Sequence, residues 1–412
     1  MKEVLQIAVA QFIGRTAWPA PRTQDESPQC CGRPVSAVVL ENPPRGTVQE
    51  LSKKGYTRFH WFAVLPSCKA PRWLLPLGDT PKTLEGFQIY TPYAPAARLL
   101  KAMSLRVIRA GWNGWGCHRL LVASGERLPL EKLVAEVTGE RAPVFALSLG
   151  TPWRYRKVTV QAMRPSGTIL GYIKLPLSEA AIGRLHHEAT ILDRLSQWPE
   201  LRPYIPRVLH AGPWGNGYLL FTAPVVGEPG PCTFSQVHEA FLEKLWCAEH
   251  LEKPGRTVVE EVAARWSEAG PQLSRRWDDI GKRALERARH ELGNRTIPCG
   301  ISHGDFAPWN TRLADGQLSV FDWESATWET PNLFDIFSFH VRVGSLLRKP
   351  GASTRLQAMN SEEKTCFLLY ILNFVSQSLT EGGQEEEKEA EARRFRLGLE
   401  YFHRLLTAEL SR

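Results

Sequence analysis

The stretch His303-Gly304-Asp305-Phe306-Ala307-Pro308-Trp309-Asn310, followed by Val320-Phe321-Asp322-Trp323-Glu324 at the end of an apolar strand, decides how the rest of the chain is read. Moving a phosphoryl group from a nucleotide to a hydroxyl needs a carboxylate that accepts the hydroxyl proton and side-chain oxygens that hold magnesium against the phosphates. Asp305, Asn310 and Asp322 supply that set from one loop and the strand behind it. The bland alternative is an acidic surface loop, which leaves the second carboxylate and an upstream lysine as coincidences.

That lysine is Lys174, inside the apolar run Thr168 to Leu175, with Glu188 fourteen residues later. Glu188 lies three after Leu185 and four before Leu192, on the same helical face as these core residues. A carboxylate held there needs a cation, and an ion pair with Lys174 would aim the ammonium at phosphates. An ordinary strand lysine lying along the sheet is the plainer reading.

The periodicity around these residues is mixed. Val144 to Leu149, Lys157 to Met163 and Thr168 to Leu175 alternate as strands of an antiparallel meander, joined by Gly150 to Tyr155 and by a turn at Arg164 to Gly167. Ser178 can cap a following helix, and Tyr218 to Thr222 is another strand. Helices are expected at Gln236 to Leu251, Val258 to Ser267, Trp277 to Leu292 and Ser361 to Leu379. A last helix carries the apolar stripe Phe395, Leu399, Phe402, Leu406. A sheet with one helix, then a larger helical body, makes an α+β, two-lobed chain.

On HGDFAPWN, FDWE, Lys174 and Glu188 the chain resembles the aminoglycoside phosphotransferase and choline kinase group of eukaryotic-like small-molecule kinases, over roughly residues 143 to 410. The resemblance implies a bilobal protein-kinase-like fold, ATP or GTP as donor, Mg²⁺, and transfer to a hydroxyl of a small molecule. It implies Asp305 as base, Asn310 and Asp322 as metal ligands, Lys174 on the phosphates and Glu188 orienting it. His303 would brace the loop, and Asp335 in Pro331-Asn332-Leu333-Phe334-Asp335 would support it from behind, or be a plain helix cap. The segment Leu219 to Pro224 looks like the hinge that binds adenine. Pro224 has no N–H, so purine recognition would fall to Ala223 or its neighbour Thr222. The turn from Gly150 to Arg156 has one glycine, not the G-x-G-x-x-G of protein kinases. Between residues 230 and 300 glutamates and arginines are mixed, so no acidic pocket for a polycationic aminoglycoside is visible.

Charge divides the chain differently. With 51 Lys and Arg against 43 Asp and Glu the net charge is +8, of which residues 1 to 140 carry 18 − 11 = +7. From Arg45 to Arg119 twelve cations face three acids, interleaved with rings such as Tyr56, Phe59, Trp61, Trp73, Tyr90, Trp112 and Trp115. Residues 1–140 are therefore expected to be an added basic α/β domain, with 141–228 the small lobe and hinge and 229–412 the helical lobe. Within the first 140, strands are expected at Val35 to Leu40 and Thr57 to Leu65, a helix at Thr47 to Lys54, and Pro-rich loops at Trp18 to Pro34 and Ala70 to Pro81. The aromatics are core, or else they stack on a nucleic acid or other polyanion.

Composition is that of a folded chain, with 43% hydrophobic and 23% charged residues. No apolar run approaches the roughly 20 residues of a spanning helix. The N-terminus lacks a secretory pattern, and eight cysteines without C-x-x-C suggest reduced thiols and a cytoplasmic protein. The expected activity is ATP-dependent phosphorylation of a sugar-like or amino-alcohol acceptor. The rival is a nucleotide-binding pseudokinase with a polyanion-binding N-terminal domain.

Overall fold

The computed structural model describes residues 3–14, 37–151, 154–272, 274–347, 358–381 and 403–411. Cys30, Cys31, the Trp18 to Pro34 stretch, Pro152, Trp153 and most of the last helical stripe lie outside them. The chain is α+β and forms two compact units, Met1–Asp193 with Pro206–Pro224, and Arg194–Ile205 with Val225–Arg412.

The first unit is built on one nine-stranded antiparallel sheet. Its strands are β1 (Ala37–Glu41), β2 (Arg58–Leu65), β3 (Trp73–Pro76), β4 (His118–Ser124), β5 (Val144–Ser148), β6 (Lys157–Met163), β7 (Ile169–Pro176), β8 (Val208–Trp214) and β9 (Gly217–Thr222). They run in the order β1-β4-β2-β3-β5-β6-β7-β9-β8. The sheet therefore crosses residue 140 without a break: Trp73 and Leu74 of β3 pair with Ser148 and Leu147 of β5. The expected boundary near 140 follows a change in surface charge, which the sheet core does not register. Phe62, Leu120, Phe145, Ile173 and Phe221 all belong to one buried cluster.

Trp73–Pro76, expected as loop, is a strand because Pro76 occupies its last position, where a missing N–H removes little of the ladder. The helices of this unit are α1 (Glu3–Phe12), α2 (Thr47–Lys53), α3 (Thr80–Gly86), α4 (Pro95–Arg109), α5 (Pro129–Thr138) and α6 (Glu179–Leu195). Phe12 of α1 meets Phe62 and Phe145 edge-on with ring centroids 5.8 and 5.2 Å apart. Such aromatic pairs are each worth about 0.5–1.5 kcal/mol beyond buried area. Tyr56, Phe59 and Trp61 pack under α2 around Leu51, and Trp73, Phe87, Tyr90 and Trp112 pack around Leu75 and Ile108. Ser178 starts α6, its hydroxyl accepting from the Ala181 N–H at 3.3 Å.

The second unit is mainly helical: α7 (Gln236–Ala248), α8 (Gly255–Ala269), α9 (Arg275–Leu292), α10 (Leu333–Leu347), α11 (Ser361–Glu381) and a helix over 403–410. Its strands are β10 (Glu228–Pro229), β11 (His250–Pro254), β12 (Thr296–Ser302), β13 (Thr311–Ala314), β14 (Gln317–Val320) and β15 (Thr327–Pro331), in two three-stranded sheets. The helix expected to Leu251 stops at Ala248, because His250–Pro254 pairs residue by residue with β12 and that ladder overrides a weak helical preference. Helices α8 and α9 approach closely at Gly281, where a Cβ would fall 2.4 Å from the Trp266 ring. Leu406 is buried in the same core as Trp266, Phe337 and Phe367. No helix among the described residues is long and apolar enough to cross a membrane, and the six described cysteines are free.

Candidate active site

Strand β12 delivers the chain to Ser302, after which the backbone turns through His303 and Gly304 to Asp305. Gly304 has φ +75° and a Cβ there would lie 2.2 Å from the Ser325 carbonyl, so conformation and space both require glycine. The turn is fixed from behind by Asp335 in the first turn of α10. Its carboxylate is fully buried and accepts from Ser302 Oγ at 2.9 Å, from the His303 N–H at 2.8 Å and from the Gly304 N–H at 3.1 Å. Burial pushes the Asp335 carboxyl above the usual range, against the opposing pull of these three donors. Its side chain thus reaches the loop and does not serve as a plain helix cap.

His303 is buried with both ring nitrogens engaged. Nδ1 accepts from the Asp305 N–H at 3.2 Å, and Nε2 lies 3.1 Å from the Phe321 carbonyl, which accepts from it. Those partners select the neutral tautomer with the proton on Nε2. The imidazole therefore ties the Asp305 backbone to Phe321, between the end of β14 and Asp322.

The Asp305 side chain, partly exposed, is held at both oxygens. Asn310 Nδ2 donates to Oδ2 at 2.9 Å and to the Asp305 carbonyl at 2.9 Å. Arg342 Nε lies 2.7 Å from Oδ1. That contact is an ion pair and not an aligned hydrogen bond: Arg342 Nε donates to Ser338 Oγ at 3.3 Å, and Oδ1 has no aligned donor among the described residues. The guanidinium also stands over the Phe374 ring, 5.2 Å from its centroid. Arg342 escaped the sequence reading. The signal that could have found it is spacing, since Arg342 follows Asp335 by seven residues, two turns along the same face of α10.

Asn310 and Asp322 are neighbours across a short hairpin. Thr311 pairs with Val320, and the Phe321 N–H donates to the Asn310 carbonyl at 3.0 Å. Because the Asn310 amide nitrogen is committed to Asp305, its Oδ1 is the amide atom suited to a hard cation, and the Asp322 carboxylate offers oxygen donors of the same kind. Asp322 has φ 72° and ψ 55°, a left-handed conformation that is unfavourable for a residue with a side chain. Non-glycine residues in such strained conformations cluster at functional sites.

In the first unit, Lys174 and Glu188 are both buried and paired, Nζ to Oε1. Lys174 sits on β7 between Thr159 of β6 and Leu220 of β9, and Glu188 projects from α6. Removing either partner would strand a buried charge. The candidate purine donor is placed otherwise than expected: the Ala223 N–H donates to the Arg207 carbonyl at 2.8 Å and is already used. Thr222 ends β9, paired with Tyr172 and Val208. The single glycine of the Gly150 turn has φ +62°, and its carbonyl accepts from Arg72 at 3.1 Å and Arg156 at 3.3 Å.

No family model matches the chain, and no curated protein matches it. Among solved structures it is similar to a thermostable mutant of an aminoglycoside phosphotransferase in its apo form, at 14% identity over 68% of this chain and 98% of the other, with a TM-score of 0.44. It is also similar to a candidate fructosamine-3-kinase from Thermobifida fusca, at 18% identity over 68% and 99% of the two chains, TM-score 0.43. A choline/ethanolamine kinase family protein from Mesorhizobium loti matches at 14% identity over 69% and 98%, TM-score 0.40.

Proposed function

We propose that the protein is a phosphotransferase that moves the γ-phosphoryl group of ATP, or GTP, to a hydroxyl of a small sugar-like or amino-alcohol molecule. The observation that carries this reading is the Asp305 carboxylate, set between Asn310 and Arg342 on a loop clamped by Asp335. In the step, Asp305 takes the proton of the acceptor hydroxyl as its oxygen bonds to phosphorus. The bond from phosphorus to the bridging oxygen breaks, and its electron pair leaves with the nucleoside diphosphate. Lys174, its charge balanced by Glu188, is assigned to the nucleotide phosphates. Asn310 Oδ1 and the Asp322 carboxylate would hold Mg²⁺, whose chemistry when bound is to neutralise phosphate charge.

The deciding experiment is a screen of small alcohols, amino alcohols and sugars for transfer from γ-labelled nucleotide, beside a no-acceptor control and the Asp305→Asn variant. Labelled acceptor that appears with the wild type and disappears with the variant supports the assignment. Nucleotide binding with no transfer to any acceptor would favour the pseudokinase reading.

A further inference from the structure

Helix α4 faces the solvent with the wrong kind of side chain for solvent. Pro95–Arg109 contains Arg98, Lys101, Arg106 and Arg109 and no acidic residue. Ile108 is buried, with Leu105 beside it, in the layer over Leu75 and Phe87. At about 3.6 residues per turn, Leu99, Met103 and Val107 form a stripe on the side away from Ile108, flanked by Leu100. Leu99 and Leu100 are each 65% exposed, Met103 54% and Val107 47%, and Trp115 in the following loop is 70% exposed. Isolated exposed apolar residues are ordinary, but four on one stripe form a contact surface. Arg98, Arg106 and Arg109 are exposed along one border of it.

We propose that α4 is an interfacial helix that docks on a bilayer carrying anionic headgroups. Leu99, Leu100, Met103 and Val107 enter the acyl boundary, and the arginines meet the lipid phosphates. Charge complementarity and apolar stripe select this partner together. A nucleic acid backbone would engage the arginines but give aliphatic side chains nothing to enter, since single strands are held by cations and stacking rings. A protein groove could take the stripe but would also have to supply carboxylates along one border. The exposed Trp115 indole in the loop after α4 is of the kind that sits at the headgroup level.

The test is co-sedimentation of the full chain with vesicles of phosphatidylcholine alone and mixed with phosphatidylglycerol, at low and high salt. Binding to the mixed vesicles, weakened by salt, is expected. Leu99→Gln with Met103→Gln, and separately Arg98→Ala with Arg106→Ala and Arg109→Ala, should each weaken it about tenfold or more without lowering the thermal midpoint, because these side chains are exposed. No binding to mixed vesicles at low salt overturns the proposal, as does undiminished binding by the Leu99→Gln, Met103→Gln variant. Binding to a single-stranded oligonucleotide but not to vesicles overturns it in favour of nucleic acid. A dimer that the glutamine variant dissociates, with no vesicle binding, overturns it in favour of a second copy of the chain.

Discussion

Asp335 and Arg342 reach one loop from a single helix: the first accepts hydrogen bonds from Ser302, His303 and Gly304, and the second lies 2.7 Å from the Asp305 carboxylate. Two turns of α10 therefore fix both the backbone and the side chain of the proposed base. Any displacement of that helix would be felt by both.

Asp305→Asn keeps the shape of the side chain and removes its basicity. Transfer should fall by about 10²- to 10⁴-fold, with nucleotide affinity and thermal midpoint near wild type. Steady-state kinetics beside calorimetric titration of nucleotide checks this; wild-type turnover would remove Asp305 from the role.

Arg342→Ala should leave the Asp305 carboxylate held only by Asn310. A base held less firmly lowers kcat by roughly 10- to 100-fold with little change in KM for the acceptor. Arg342→Lys restores the charge but not the planar guanidinium over Phe374, so partial recovery is expected. A loss confined to KM would place Arg342 in acceptor binding instead.

Asp335→Ala would orphan the buried Ser302 hydroxyl and the buried His303 N–H, while the half-buried Gly304 N–H keeps Ser302 Oγ at 3.2 Å. At about 1–3 kcal/mol for each unsatisfied group, the change should destabilise the protein by several kcal/mol and remove activity together with structure. Chemical denaturation with an activity assay on the same samples tests both.

Acid stability should depend on His238, whose ring is buried among Phe234, Phe306 and Phe339. Desolvation lowers its pKa to about 4 against a smaller upward pull from the Ser235 backbone, and Nδ1 accepts from the Ser235 N–H at 3.1 Å. Between about 6.5 and 4 the unfolded chain binds a proton that the folded chain refuses, so stability is lost as pH falls through that window, by about 3 kcal/mol at most. His238→Gln keeps an acceptor for the Ser235 N–H and cannot titrate. The difference in urea midpoint between pH 7 and pH 5 should shrink in this variant.

What the sequence made legible was local. HGDFAPWN, FDWE and the Lys174–Glu188 spacing could be read because their residue types are unusual where they stand, and the strands from Val144 to Leu175 alternate openly. Arg342 was not legible: an arginine on an apolar helix becomes informative only once Asp335 shows which face meets the loop. The use of the Ala223 N–H by Arg207 depends on a pairing between separate segments that no short window contains. The continuity of the sheet was hidden for a related reason. Charge changes sharply near residue 140, whereas the pairing of Trp73 with Ser148 joins segments seventy-five residues apart.

That pairing also sets how the protein can be cut. A chain beginning at residue 141 would strip β5 of Trp73 and Leu74 and leave its amide groups as an unprotected rim beside Phe145 and Leu147, both buried in the intact protein. A bare, apolar strand edge recruits strands from other molecules. The shortened chain would accordingly be a template for self-assembly, with β3 removed as the cover of that sheet edge.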